Sequence, residues 1–241
     1  MVEPVPVMMY HSVAPEIKTW AYSFLSIAPD VFEDQISTLA RAGFVGITLE
    51  ELYGYMSGSR RIPPRAVVLT FDDGYLDNYE FAVPVLLRHQ IPAAFFVSTG
   101  MIGEQCGFPH DLSKLGKALP NMSWDQLREM QAEGFTIGSH TVSHLSCGKS
   151  DLDAVARELN SSMAHLKQEL DLDRVIFAYP YGGRDDMNPQ ALELVKQTGY
   201  AACLSAYGGV NRNGVDRFNV LRMGVDFRFS PLAFAARAEG W

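Results

Sequence analysis

Along the chain, short runs that are apolar at almost every position alternate with stretches in which apolar residues recur at helical spacing. The apolar runs are rich in Val, Ile and Phe and have the length of buried strands. They fall at 5–10 (VPVMMY), 44–47, 66–71 (AVVLTF), 93–98 (AAFFVS), 135–138 (FTIG), 174–179 (RVIFAY), 200–204 (YAACL) and 219–223 (NVLRM). Strand and helix in alternation predict βα units around a parallel sheet, and this many strands predict a (β/α) barrel. Ser123 before WDQLREMQAEG and Ser150 in SDLD stand where a side-chain oxygen accepts a first-turn N–H, with Asp153 at a capping-box position. Gly43, Gly134 and Gly199 follow their helices as stop signals. Pro84 inside YLDNYEFAVPVLLRHQ predicts a bent or restarted helix. The stretch 99–122 has no clear period and is expected to be a long loop rimming a cleft. No linker, repeat or low-complexity tract interrupts the pattern, so 1–241 is expected to form one domain.

Composition narrows this picture. With 241 residues, 47% of them hydrophobic, the chain is long enough to bury a full core. Its formal net charge of −8 repels phosphate backbones and argues against nucleic-acid binding. The three cysteines, Cys106, Cys147 and Cys203, are widely and irregularly spaced, which predicts free thiols. The start MVEPVPVMMYH lacks a basic leader, and its apolar run is too short to span a membrane. As written, the chain reads as cytoplasmic; removal of a signal peptide from a periplasmic or extracellular protein would leave the same pattern.

Chemically capable residues gather behind the predicted strands. His11 follows VPVMMY, Asp72 and Asp73 follow AVVLTF, His140 and His144 follow FTIG, and Tyr181 with Gly182 and Gly183 follows VIFAYP. In parallel α/β folds the loops at the carboxyl ends of strands converge on one face, so these four segments point to one site. Asp72–Asp73 fits a helix cap with a first-turn acid, or a cation site, since adjacent buried carboxylates repel unless a positive charge lies beside them. His140 and His144, four residues apart, are either surface histidines or a pair that shares one ion. With one strand-end Asp they make a two-His-one-carboxylate set suited to one divalent ion, zinc, cobalt, nickel or iron. His89 and His165 read as surface residues and His110 as a loop residue near substrate or solvent, whereas His11 leaves a strand with no polar side chain between Pro6 and Tyr10.

Together VVLTFDDGY, HTVSH and YPYGG resemble the polysaccharide deacetylases of carbohydrate esterase family 4, the NodB homology domain. The resemblance implies a distorted (β/α) barrel of seven or eight parallel strands and metal-dependent removal of N-acetyl groups from sugars. It implies Asp72 as general base, Asp73, His140 and His144 as metal ligands, and the Tyr181 N–H as an oxyanion donor. Two departures stand out: Ala178 fills the place where the family's third motif usually has Arg, and no histidine follows His165 to serve as the late catalytic His. The opening PVMMYHSV, however, is similar to that of the poly-β-1,6-N-acetylglucosamine deacetylases, a circularly permuted branch in which the His-bearing strand comes first. By that likeness His11 is the general acid, and absence of the Arg marks the branch. Arg222 and Arg184 are then the candidates for holding Asp72. Tyr75, Trp124, Tyr207 and Arg222 are expected to contact the N-acetylated glycan. The alternatives are a deacylase or deformylase of a small amino sugar or other amide, and a non-catalytic carbohydrate-binding relic suggested by Ala178.

Overall fold

The computed structural model describes residues 4–15, 25–103, 107–226 and 228–239. In chain order it has β1 (Val5–Tyr10), β2 (Ser12–Val13), β3 (Ser26–Ile27), α1 (Pro29–Arg41), β4 (Val45–Gly46), α2 (Leu49–Met56) and β5 (Ala66–Phe71). There follow α3 (Val83–His89), β6 (Ala93–Val97), α4 (Pro109–Leu115), α5 (Trp124–Ala132), β7 (Thr136–Ser139), α6 (Leu152–Leu170) and β8 (Phe177–Ala178). The chain closes with α7 (Pro189–Thr198), β9 (Cys203–Leu204), β10 (Val210–Asn211), β11 (Met223–Gly224) and α8 (Pro231–Ala238). The main sheet runs β10-β1-β5-β6-β7-β8-β9, with β11 also on β1 and β4 on β5. Its pairs are parallel except β1–β10.

Strands β5 and β6 are buried at every position, as the unbroken apolar runs require. Successive side chains point to opposite faces, so each strand feeds two cores. One face carries Met8, Tyr10, Leu69, Phe71, Phe95 and Phe177 and packs beneath α1, α3, α5, α6 and α7. The other carries the smaller Val5, Val7, Val68, Ala94 and Ala178, with Phe96, and packs against α2 through Leu49, Leu52 and Met56. The late segment links the sheet's edges: Val220 bridges Leu204 beside β9, while Met223 and Gly224 pair with Met8 and Met9 of β1. Leu221 and Arg222 lie between those two ladders.

Register decides which residues emerge together from neighbouring strands. Tyr10 pairs with Phe71, and the Asp72 amide donates to the Tyr10 carbonyl, so His11 and Asp72 leave adjacent strands side by side. Likewise Ser139 pairs with Phe177, which brings His140 abreast of Ala178.

Each of the eight expected strand segments contributes to the sheet, but 44–47, 174–179, 200–204 and 219–223 supply only two-residue ladders or a single bridge. Strands β2, β3 and β10 and helix α8 were not legible in the pattern. The expected long loop at 99–122 contains α4, bracketed by Pro109 in its first turn and Gly116 at φ +67° past its end. Seven residues are too few to show a helical period. Helix α6 is capped by Asp151, not Ser150: its carboxylate accepts from the amides of Asp153 and Ala154. Ser123 and Gln126 do form the capping box of α5. Around Pro84 the helix restarts, a π-helical turn at Asn78–Ala82 leading into α3. Cys147 and Cys203 are buried free thiols; Cys106 lies outside the described residues.

Asp77 ties the start of the chain to the turn after β5. It accepts from Ser12 Oγ at 2.6 Å and from the Val13 amide at 3.0 Å, fixing the residues that come after His11. Burial raises its carboxyl to about 6 despite those two hydrogen bonds. A carboxyl raised above its unfolded value, about 4, stabilises the fold below that value and loses the contribution as pH rises through the folded one. Asp77→Asn keeps an acceptor for Val13 and removes the titration. Urea midpoints of wild type should therefore decline relative to this variant between pH 4 and 6; a pH-independent difference would contradict this role of Asp77.

Candidate active site and metal centre

Asp73, His140 and His144 offer ligand atoms that all lie within 4.8 Å of one another, and all three residues are buried. Asp73 Oδ1 is 3.6 Å from His140 Nε2 and 3.3 Å from His144 Nε2. It is buried and accepts no hydrogen bond, a costly state for a carboxylate oxygen unless something else meets it. His140 Nδ1 is 2.8 Å from the Ala178 carbonyl, which can only accept, so Nδ1 carries the proton and Nε2 is free to ligate. Burial lowers His140 to about 4 and His144 to about 3, the His110 ring adding to the effect on His144, so both rings are neutral at pH 7. Neutral imidazoles and an unpaired carboxylate oxygen in one cluster fit a divalent cation.

The local backbone explains the convergence. Asp73, Thr141, His144 and Tyr181 all have left-handed φ, at 73°, 64°, 62° and 61°, a strained conformation for residues other than glycine. Gly74 continues the turn at φ +77°, and a Cβ there would lie 2.9 Å from Val97. Asn121 Nδ2 holds that turn by donating to the Asp73 carbonyl. Glu158 on α6 clamps the histidine loop, accepting from the amides of Val142 and Ser143 and from Ser143 Oγ. Asp186 joins the same loop to the one that carries Tyr181, accepting from Ser146 Oγ and the Gly183 amide.

Asp72 is compensated differently. Arg222 Nη1 and Nη2 donate to its two oxygens at 2.6 and 2.8 Å, a bidentate pair, while Arg222 Nε donates to the Ser205 carbonyl. Burial alone would raise the Asp72 carboxyl, but the Arg222 charge and hydrogen bonds, with help from His140, hold it down at about 2. Arg222 is 0% exposed, so it holds Asp72 and presents nothing to a substrate. Arg184 lies elsewhere, over the Tyr207 ring at 4.5 Å.

These groups open on a cavity of about 250 Å³ lined by His11, Asp72, Asp73, His140, His144 and Tyr181, with His110 and Lys114 contributed by α4. His11 Nδ1 is buried without a partner. Tyr181, 59% exposed, stands at the mouth with its ring 4.7 Å from that of His144. Tyr75 is buried behind the wall, donating to Asp111. Trp124 packs on the outer core, and Tyr207 lies in a surface hollow with Arg184 and Phe218; neither lines the cavity. Of the two arginines the sequence offers for holding Asp72, Arg222 near its strand end is the one that does so; His110 reads in the sequence only as a loop residue near substrate or solvent, and Glu158 carries no signal beyond residue type.

A carboxylate with one unpaired oxygen and two neutral histidines, beside a second carboxylate locked to arginine, make the equipment of a metal-dependent hydrolase. Residues 59–203 match the family model described as polysaccharide deacetylase, and the chain belongs to that family. It is 30% identical over 199 residues to the poly-beta-1,6-N-acetyl-D-glucosamine N-deacetylase of Staphylococcus aureus (strain MSSA476), covering 79% of this chain but only 62% of that enzyme. The structure of IcaB from Ammonifex degensii superimposes with a TM-score of 0.81 at 29% identity, over 99% of this chain and 98% of that one. The Streptococcus pyogenes deacetylase PplD shares the fold at a TM-score of 0.79 and 23% identity, over 98% of each chain. Family and relatives are deacetylases, and the fold is theirs.

Both compensated charges can be tested by removing a partner. His144→Ala removes one of three ligands, so elemental analysis after zinc loading should fall from about one ion per chain to near none; full retention would place the ion elsewhere. Arg222→Met strands a buried carboxylate, a change that typically costs about 3–5 kcal/mol. Urea unfolding should show that loss, and adding Asp72→Asn should recover part of it; a single variant as stable as wild type would deny the pair its role.

Proposed function

We propose that this chain is a metal-dependent N-deacetylase of glycans built from N-acetylglucosamine, with zinc as its metal. The observation that carries this is the meeting of the Asp73–His140–His144 cluster, the Arg222-bound Asp72 and His11 in one cavity. The cavity's volume, about 250 Å³, is below the roughly 300–1,000 Å³ of pockets that engulf drug-sized ligands. One acetamido sugar enters it, and the rest of a glycan lies outside, past the exposed ring of Tyr181. Two imidazoles and one carboxylate suit zinc with an open coordination position.

When bound, the divalent cation supplies Lewis-acid polarisation of the acetamide and lowers the pKa of water toward neutrality. Asp72, kept ionised by Arg222, takes the proton of the attacking water on an oxygen lone pair not used by the guanidinium. The Tyr181 backbone N–H donates to the carbonyl oxygen as it gains negative charge, a contact of the kind typically worth ~3 kcal/mol. His11 delivers a proton from Nε2 to the departing sugar nitrogen, because an amide leaves poorly as an anion.

Acetate release from N-acetylglucosamine oligomers tests the proposal. Asp72→Asn and His11→Ala should each keep bound zinc and lose ~10² or more in kcat, the range of a general base or acid. Equal turnover of monomeric N-acetylglucosamine and oligomer would favour a small-amide deacylase. Wild-type zinc enzyme without acetate release would leave only a binding role.

A further inference from the structure

We propose that His110 is a substrate-binding residue, held by the buried Tyr75–Asp111 pair so that its free ring nitrogen hydrogen-bonds a sugar hydroxyl beside the reacting acetamide. The proposal rests on the N-deacetylase function above and names a further determinant of what the site accepts. His110 sits at the start of α4 and lines the cavity with Lys114 one turn on. Its ring is fixed from several sides: it stacks on Phe108 at 5.2 Å between centroids, 14° from parallel, and lies 5.2 Å from the His144 ring. Its Nε2 is 3.2 Å from Tyr75 Oη and 3.5 Å from Asp111 Oδ1. A histidine serving only as a solvated surface residue would not be held in this way.

The support behind it is unusual. Asp111 is 0% exposed, and Tyr75 Oη donates to its two oxygens at 3.1 and 3.2 Å. Burying a carboxylate is costly, and this one meets three partners: the backbone of Phe108 at the start of α4, Tyr75 and His110. Tyr75 belongs to the turn that presents Asp73 and is bridged to Asn121, so the metal-ligand turn and the α4 wall are one hydrogen-bonded unit. With Nε2 engaged, Nδ1 is the ring nitrogen left for the cavity. Because Tyr75 gives its proton to Asp111, Nε2 donates to Tyr75 Oη and Nδ1 is left as an acceptor, which calls for a group that can donate a hydrogen bond. In a 2-acetamido sugar, the hydroxyl on the neighbouring ring carbon is such a group, and it travels with the acetamide. The Tyr75–Asp111 pair acts through His110 as a positioning device.

The test compares two substrates on the zinc-loaded full chain: an N-acetylglucosamine oligomer, and 4-nitrophenyl acetate, an acyl donor with no sugar hydroxyl. His110→Phe retains the stack on Phe108 but removes the nitrogen. The ratio of glycan to ester kcat/KM should fall about tenfold or more, mainly through KM, as expected when a buried hydrogen-bond partner is lost. Tyr75→Phe should give a smaller loss of the same sign, and His110→Gln should restore part of the ratio. If His110→Phe fails to fold, judged by its melting curve, His110→Gln and Tyr75→Phe carry the comparison. Proportional loss on both substrates, or no change in the ratio, overturns the proposal. Wild type that cleaves the ester but never the glycan overturns the N-deacetylase function, and with it this inference.

Discussion

Two carboxylates stand next to each other at the buried end of β5, and the site depends on their being compensated by different charges. Asp72 takes Arg222, whose guanidinium is itself wholly buried. An ion pair taken out of water recovers its desolvation cost only when its geometry is good and its remaining donors are met. Here the pair is bidentate, the third nitrogen, Nε, donates to the Ser205 carbonyl, and Nη1 also reaches Thr70 Oγ1 at 3.5 Å. Arg222 leaves Asp73 alone: its Oδ1 stays unpaired, facing two neutral imidazoles. One negative charge and two lone pairs in a buried cluster create the demand for a divalent cation.

Sheet register supplies the rest of the arrangement. Parallel pairing sets His11 next to Asp72 and His140 next to Ala178, so the side chains behind four strands meet without long loops to aim them. Where the last few ångströms require more, the backbone is bent into left-handed turns at Asp73, Thr141, His144 and Tyr181. Such turns persist only when their surroundings hold them. Asn121, Glu158 and Asp186 do so through hydrogen bonds to backbone groups of three of these loops. Ala178 shows how the site manages without an arginine in that motif: its carbonyl orients His140, and the cation for Asp72 arrives from the other end of the chain.

The sequence made much of this legible, and the limits have physical causes. Strand-end placement singles out the Asp72–Asp73 pair with His140 and His144 because strand periodicity and ligand chemistry are both local, while the choice of Asp73 as the ligand comes from the family resemblance. The Asp72–Arg222 contact spans 150 positions, and an arginine in NVLRM looks the same whether it faces solvent or a buried acid. Arg222 could be named only among candidates. Aromatic residues were harder still, since Tyr75, Trp124 and Tyr207 differ in what packs around them rather than in type: one is buried behind the wall, the others lie outside the cavity. Helix α4 is shorter than two full turns and shows no period in the sequence, so His110 reads there as a loop residue near substrate or solvent rather than as part of a helical wall.

The most direct measurement is a crystal structure of the zinc-loaded protein with anomalous scattering recorded at the zinc edge. Separate compensation of the two carboxylates predicts one strong anomalous peak in contact with Asp73 Oδ1 and the Nε2 atoms of His140 and His144, while Asp72 stays bidentate to Arg222. A peak bridging Asp72 and Asp73, with Arg222 displaced from the carboxylate, would contradict it.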